Sequence, residues 1–138
     1  MGRILAIDYG RRRTGIAVTD PLRILAQPLE TVPTHQLLDW LGNYFQHEEV
    51  DMVVIGQPKQ MNNEASDTMA DINIFLRHFA TRFPDRQTCL FDERFTSVLA
   101  HRAMIDGGMK KEQRQDKSVV DKIAASYILE SYLQSLQS

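Results

Sequence analysis

The sequence predicts an α/β fold built on one mixed five-stranded sheet with helices on both faces. Three observations predict it. The first third of the chain is a succession of short apolar runs separated by turn residues. Two later apolar runs each follow a segment of helical period. A chain of 138 residues, 43% hydrophobic, supports one packed domain spanning residues 1–138.

The first strand is Arg3-Ile4-Leu5-Ala6-Ile7-Asp8, whose continuous apolar centre suits a strand covered on both faces, and Gly10 allows the turn after it. Residues 14–20 and then Ile24 to Val32 complete a three-stranded meander. Pro28 has no backbone donor, which assigns the third strand to a sheet edge. Thr34 is placed to cap a helix in which Leu37, Leu38, Leu41, Tyr44 and Phe45 recur with helical spacing up to about Glu49. Asp51 to Gly56 reads as a parallel strand reached through that helix, by a crossover that is right-handed by default. Residues 65–83 form a second amphipathic helix, with Ile72, Phe75, Leu76, Phe79 and Phe83 on one stripe, and Pro84 stops it. Gln87 to Phe91 is the fifth strand. A helix opens at Thr96 or Ser97 and ends near Asp106 before Gly107-Gly108, and a polar segment follows from Met109 to Lys117. The last helix runs from about Val119 to Leu136, with Val120, Ile123, Ala124, Tyr127 and Ile128 on one face. A meander followed by two helix-linked strands gives the order 3-2-1-4-5, the three-layer plan of the ribonuclease-H-like fold.

A formal net charge of −2 argues against nonspecific coating of nucleic acid, because that affinity comes from Lys and Arg releasing counterions. Charge is nevertheless clustered. Residues 1–23 hold five Arg against two Asp, a local +3, and residues 107–117 hold Lys110, Lys111, Arg114 and Lys117 against Glu112 and Asp116, a local +2. Either cluster suits phosphate, and either also suits an ordinary solvated turn. The single Cys89 cannot form an internal disulfide and fits a reducing cytoplasm, as a core residue. No apolar run approaches the roughly 18 residues that span a bilayer, and Arg3 and Asp8 interrupt any secretory signal, so no membrane role is expected.

Chemistry points to three acids. Asp8 stands where a buried strand gives out, Glu93 follows the fifth strand, and Asp121 opens the last helix. The fold plan can bring all three to one sheet edge, where hard oxygen ligands would hold Mg2+ or Mn2+ and permit phosphodiester cleavage. Each acid also has a plainer reading. Asp8 could accept turn hydrogen bonds, Glu93 could pair with Arg94, and Ser118-Val119-Val120-Asp121 fits a capping box. Their joint placement favours the metal site. The four His residues lack metal-ligand spacing, and no nucleophile elbow, P-loop or dinucleotide glycine pattern occurs.

Four segments in order carry a resemblance along essentially the whole chain: residues 6–10 with Arg13-Thr14-Gly15-Ile16-Ala17, residues 54–58, residues 92–97, and residues 121–132. On them the chain resembles the YqgF/RuvX family of ribonuclease-H-like nucleases. The resemblance implies catalytic acids at Asp8, Glu93 and Asp121, a divalent metal, and processing of the precursor of 16S ribosomal RNA. The family's older label is Holliday junction resolvase. One departure is Lys59 with Asn62-Asn63, where the family usually has an apolar residue and an Asp-Gly turn; Asn tolerates the left-handed turn, and Lys59 could add a phosphate contact.

The leading expectation is therefore a metal-dependent endonuclease acting on structured RNA, with Arg11, Arg12, Arg13, Lys59, Arg94, Lys110 and Lys111 as the nucleic-acid contacts. Cleavage of branched DNA by the same site is the alternative, and it calls for a two-fold dimer where the leading reading allows a monomer or weak homodimer. A noncatalytic nucleic-acid-binding module is the third. A sugar-kinase relative shares the opening strand, but its two lobes need far more chain.

Overall fold

The computed structural model describes residues 2–57, 63–92 and 117–136. In chain order the elements are β1 (Arg3–Asp8), β2 (Arg13–Thr19), β3 (Ala26–Pro33), a 3-10 turn (Thr34–Gln36), α1 (Leu37–His47), β4 (Val50–Gln57), α2 (Asn63–Arg82), β5 (Thr88–Asp92) and α3 (Lys117–Ser135). The predicted helix near residues 96–106 and the polar segment after it lie outside the described residues. The five strands form one sheet in the order β3-β2-β1-β4-β5, as expected. β1–β2 and β2–β3 pair antiparallel, whereas β1–β4 and β4–β5 pair parallel.

The strand period of two sorts the core into two layers of different thickness. Leu5, Ile7, Ile16, Val18, Val53 and Ile55 point to one face, where Leu37 and Leu41 of α1 and Ile72, Phe75 and Phe79 of α2 cover them. Ile4, Ala6, Ala17 and Val54 point to the other face, against Ala125, Ile128 and Leu129 of α3. Small side chains dominate at the centre of this second layer, so α3 can approach the sheet closely. Phe91 and Tyr132 close its outer side edge to face, with ring centroids 5.7 Å apart.

Cys89, expected in the core, is only partly buried, because β5 is an edge strand of the sheet. Three further departures from the sequence reading have local causes. β3 begins at Ala26 rather than Ile24, because Asp20 Oδ1 accepts the backbone N–H groups of both Ile24 and Leu25 at 2.8 Å and holds them in the turn. Arg23 adopts a left-handed φ of 60° there, anchored by donation from its Nε to the Gly2 carbonyl at 2.9 Å. On α3 the buried stripe is Ala124, Ala125, Ile128 and Leu129, one residue round from the predicted face. The thin layer selects the double-alanine side of the helix, since a bulkier face could not reach Ala6 and Ala17. Thr34 is the third case and belongs to the site. Pro28 does lie on the sheet-edge strand, and a bulge beside it, where Ile16 pairs with Glu30 and Ala17 with Pro28, interrupts the exposed ladder. Among the described residues no helix is long and apolar enough to cross a membrane.

Candidate active site

Asp8 is the last residue of β1, a strand with neighbours on both sides, and it shares the face of Ile4 and Ala6. Its cross-strand partner is Gly15. Directly opposed residues of an antiparallel ladder lie about 4.5–5.5 Å apart, so whatever sits on Gly15 sits beside Asp8. What sits there is Asp121. A Cβ built on Gly15 would overlap the Asp121 carbonyl, and would come within 2.9 Å of the Lys122 nitrogen. The helix backbone rests on the strand because the strand has no side chain at that point.

Asp121 is an interior residue of α3 rather than part of a cap: α3 spans Lys117–Ser135, and Ser118 lies within it, its carbonyl accepting the Thr31 hydroxyl at 2.5 Å. Asp121 stands three and four residues before the buried Ala124 and Ala125, and thus heads the stripe that faces the sheet. The close layer that seats Ala125 against Ala6 and Ala17 consequently brings an acid, one turn earlier, over the end of β1. The Asp121 side chain is 23% exposed, and its Oδ2 accepts a hydrogen bond from Arg13 Nε at 2.9 Å.

The loop joining β1 to β2 carries the arginine triplet, and three contacts fix it. At Gly10 a Cβ would overlap the Arg13 carbonyl, so the turn is tight enough to require glycine. Arg11 Nε donates to Asp71 of α2 at 2.8 Å, tying the loop to the neighbouring helix. Thr34 supplies the third: its hydroxyl donates to the Gly10 carbonyl at 2.6 Å and lies 2.9 Å from the fully buried Thr14 hydroxyl, while its N–H donates to the Arg12 carbonyl. That cross-link displaces the expected cap, and α1 starts without a side-chain cap, after a 3-10 turn. Thr34→Val keeps the shape but leaves the Thr14 hydroxyl and the Gly10 carbonyl without their partner. A loss of about 1–2 kcal/mol in urea unfolding is expected; unchanged stability would show that the backbone alone holds the loop.

Next to Asp8, Tyr9 packs on Phe75 with ring centroids 5.5 Å apart. Burial pushes its phenol above the ordinary value, and the nearby Asp71 charge pushes it the same way, so Tyr9 stays protonated at neutral pH. Of the triplet, Arg11 and Arg13 are each ion-paired, and the exposed Arg12 makes no ion pair among the described residues. Glu93, Lys59, Arg94, Lys110 and Lys111 lie outside the described residues. Asp92 ends β5 at Gln57, the last residue of β4, and Glu93 follows it in the chain. Among the described residues no group of three His, Cys, Asp or Glu side chains forms a metal cluster. The sequence reading missed the seat at Gly15 and the brace at Thr34. A glycine inside the strand-like Thr14-Gly15-Ile16-Ala17-Val18 was the signal for the first; the second had no local signal.

A 3-2-1-4-5 mixed sheet with helices on both faces, whose central strand ends in an acid beneath a second acid from the last helix, defines a ribonuclease-H-like α/β protein. The solved structure of Thermus thermophilus RuvC in complex with a Holliday junction substrate shares the fold at a TM-score of 0.60, with 14% identity, over 100% of this chain and 97% of that one. Residues 2–135 match the family model described as RuvX, Holliday junction resolvase, and the chain belongs to that family. Relatives named "Putative pre-16S rRNA nuclease" include those of Bacteroides fragilis, 56% identical over 135 residues, and Flavobacterium johnsoniae, 51% identical over 135 residues; each alignment covers 98% of both chains.

Proposed function

We propose that the chain is a divalent-metal-dependent nuclease that cuts structured nucleic acid, with maturation of the 16S ribosomal RNA precursor in the cytoplasm as its reaction. The observation that carries the reading is the seating of Asp121 on Gly15, the cross-strand partner of Asp8. That backbone contact brings two acidic residues from elements far apart in sequence to the end of the central strand. Their hard oxygens fit Mg2+ or Mn2+, for which Asp8, Asp121 and, from the strand exit, Glu93 would be the ligands. When bound, the ion supplies charge neutralisation and Lewis acidity at the phosphodiester.

The remaining roles belong to the chain's own groups. Gly15 and the small layer beneath α3 fix the separation of the two acids. Arg12, exposed and without an ion pair among the described residues, reaches toward substrate phosphate. Lys59, Arg94, Lys110 and Lys111 extend that contact. RNA is preferred to DNA on the names of the relatives, and the fold likeness to RuvC shows the architecture alone. The second reading, cleavage of a four-way DNA junction, is favoured by the description of the family model. It requires two copies acting on symmetric strands.

Cleavage of a labelled 16S precursor and a four-way DNA junction, side by side with Mg2+ or EDTA, decides between them. Metal-dependent cutting of the precursor is expected. Cutting of the junction alone would move the assignment to the second reading, and tight binding of either without cutting would overturn the nuclease.

A further inference from the structure

Arg13 is where the candidate site departs from a simple pair of acids. It opens β2, its carbonyl is locked against Gly10, and its backbone pairs with Pro33 of β3. Only the side chain is left to move. That side chain spends its Nε on Asp121 Oδ2, at 2.9 Å, and no described residue accepts its two terminal nitrogens. The Arg13 side chain is 42% exposed against 23% for that of Asp121, so the cation is the more solvent-facing partner. An ion pair of that exposure is weakly held and easily exchanged. Arg11, by contrast, is turned away toward Asp71 on α2, and Arg12 has no ion pair among the described residues.

We infer that Arg13 is an exchangeable counter-ion for Asp121: it occupies the carboxylate while the site is empty of metal, yields it to the incoming divalent cation, and turns to the substrate phosphate. This rests on the reading of Asp121 as a metal ligand. A carboxylate held ready for a cation favours a positive neighbour while the cation is absent, and the tethered guanidinium of Arg13 is that neighbour for Asp121. Once a divalent ion takes the carboxylate, the freed fork has the geometry to bind phosphate through two parallel donors. Metal binding and substrate binding then reinforce one another, because each favours the same position of one side chain. Arg13 is thus a positioning residue in the metal-free state and a substrate contact in the loaded one.

The test measures Mn2+ affinity by calorimetry in the absence of nucleic acid, for wild type, Arg13→Gln, Arg12→Gln and Asp121→Asn. Removing a competitor strengthens binding, so Arg13→Gln is expected to bind Mn2+ about fivefold more tightly. Loss of any nearby positive charge would also strengthen it, and Arg12→Gln measures that contribution, which should be smaller. Equal gains in the two variants, or no gain in Arg13→Gln, would overturn the inference while leaving the metal site standing. Unchanged Mn2+ affinity in Asp121→Asn would instead remove Asp121 from the ligands, and the inference with it. A second readout uses a fluorescently labelled RNA hairpin with Ca2+ or with EDTA. Arg13→Gln should weaken hairpin binding with Ca2+ and leave it nearly unchanged in EDTA; equal weakening in both conditions would overturn the exchange.

Discussion

Gly15→Ala is expected to cost about 3 kcal/mol of stability, near the upper end for overpacking by one methyl group. The added Cβ would overlap the carbonyl of Asp121, and a backbone carbonyl within a helix cannot rotate aside as a side chain does. Relief requires lifting the start of α3 off β2. On the proposed metal site that motion reaches the chemistry directly, since it carries Asp121 away from Asp8, and a displacement of about 1 Å at a reacting centre can cost about a hundredfold in rate. Urea unfolding and metal-dependent cleavage should therefore fall together. Gly42→Ala is the internal control. The nearest atoms to a Cβ there are the Arg82 Nη2 at 3.2 Å and the Phe83 ring at 3.6 Å, and a guanidinium tip can give way. With glycine removed from the interior of α1, a gain of up to about 1 kcal/mol is expected. The same substitution thus has opposite signs at two glycines. Equal and small effects at both would mean that α3 is not seated on β2.

The layer that seats α3 also explains what was legible in the sequence. Each apolar run became a strand, and Pro28 marked the edge, because these signals are local: continuity of apolar residues and a missing donor. Asp8 was legible for the same reason, as the residue that ends such a run. Asp121 was harder. Its S-x-x-D context imitates a capping box, and the predicted face of the helix passed through Val120 and Ile123 rather than Ala125 and Leu129. Which face turns inward, in a helix with apolar residues on more than one side, is decided by the surface it meets, here Ala6, Ala17 and Gly15, and that surface exists only once β1 and β2 have paired. Thr34 failed as a cap for a similar reason: its hydroxyl has a partner at Gly10, 24 positions earlier, that no local pattern discloses. Arg13 and Asp121, 108 positions apart, could be joined only through the fold.

Asp8→Asn should abolish cleavage, by about a hundredfold or more, while leaving the fold intact. Asparagine has the volume of aspartate, and the position is a strand end rather than the core, so repacking is slight. On the proposed metal site, the carboxylate lost in this variant is a ligand for the ion. The response to metal is where the two proteins should part. A ligand that binds only the folded state raises the melting temperature in proportion to its affinity, so saturating Mg2+ or Mn2+ should stabilise wild type and barely move Asp8→Asn. Thermal unfolding with and without metal reads this independently of any substrate. A metal-dependent shift of equal size in both proteins would remove Asp8 from the ligands even if cleavage were lost, and full cleavage by the variant would place the chemistry elsewhere on the chain.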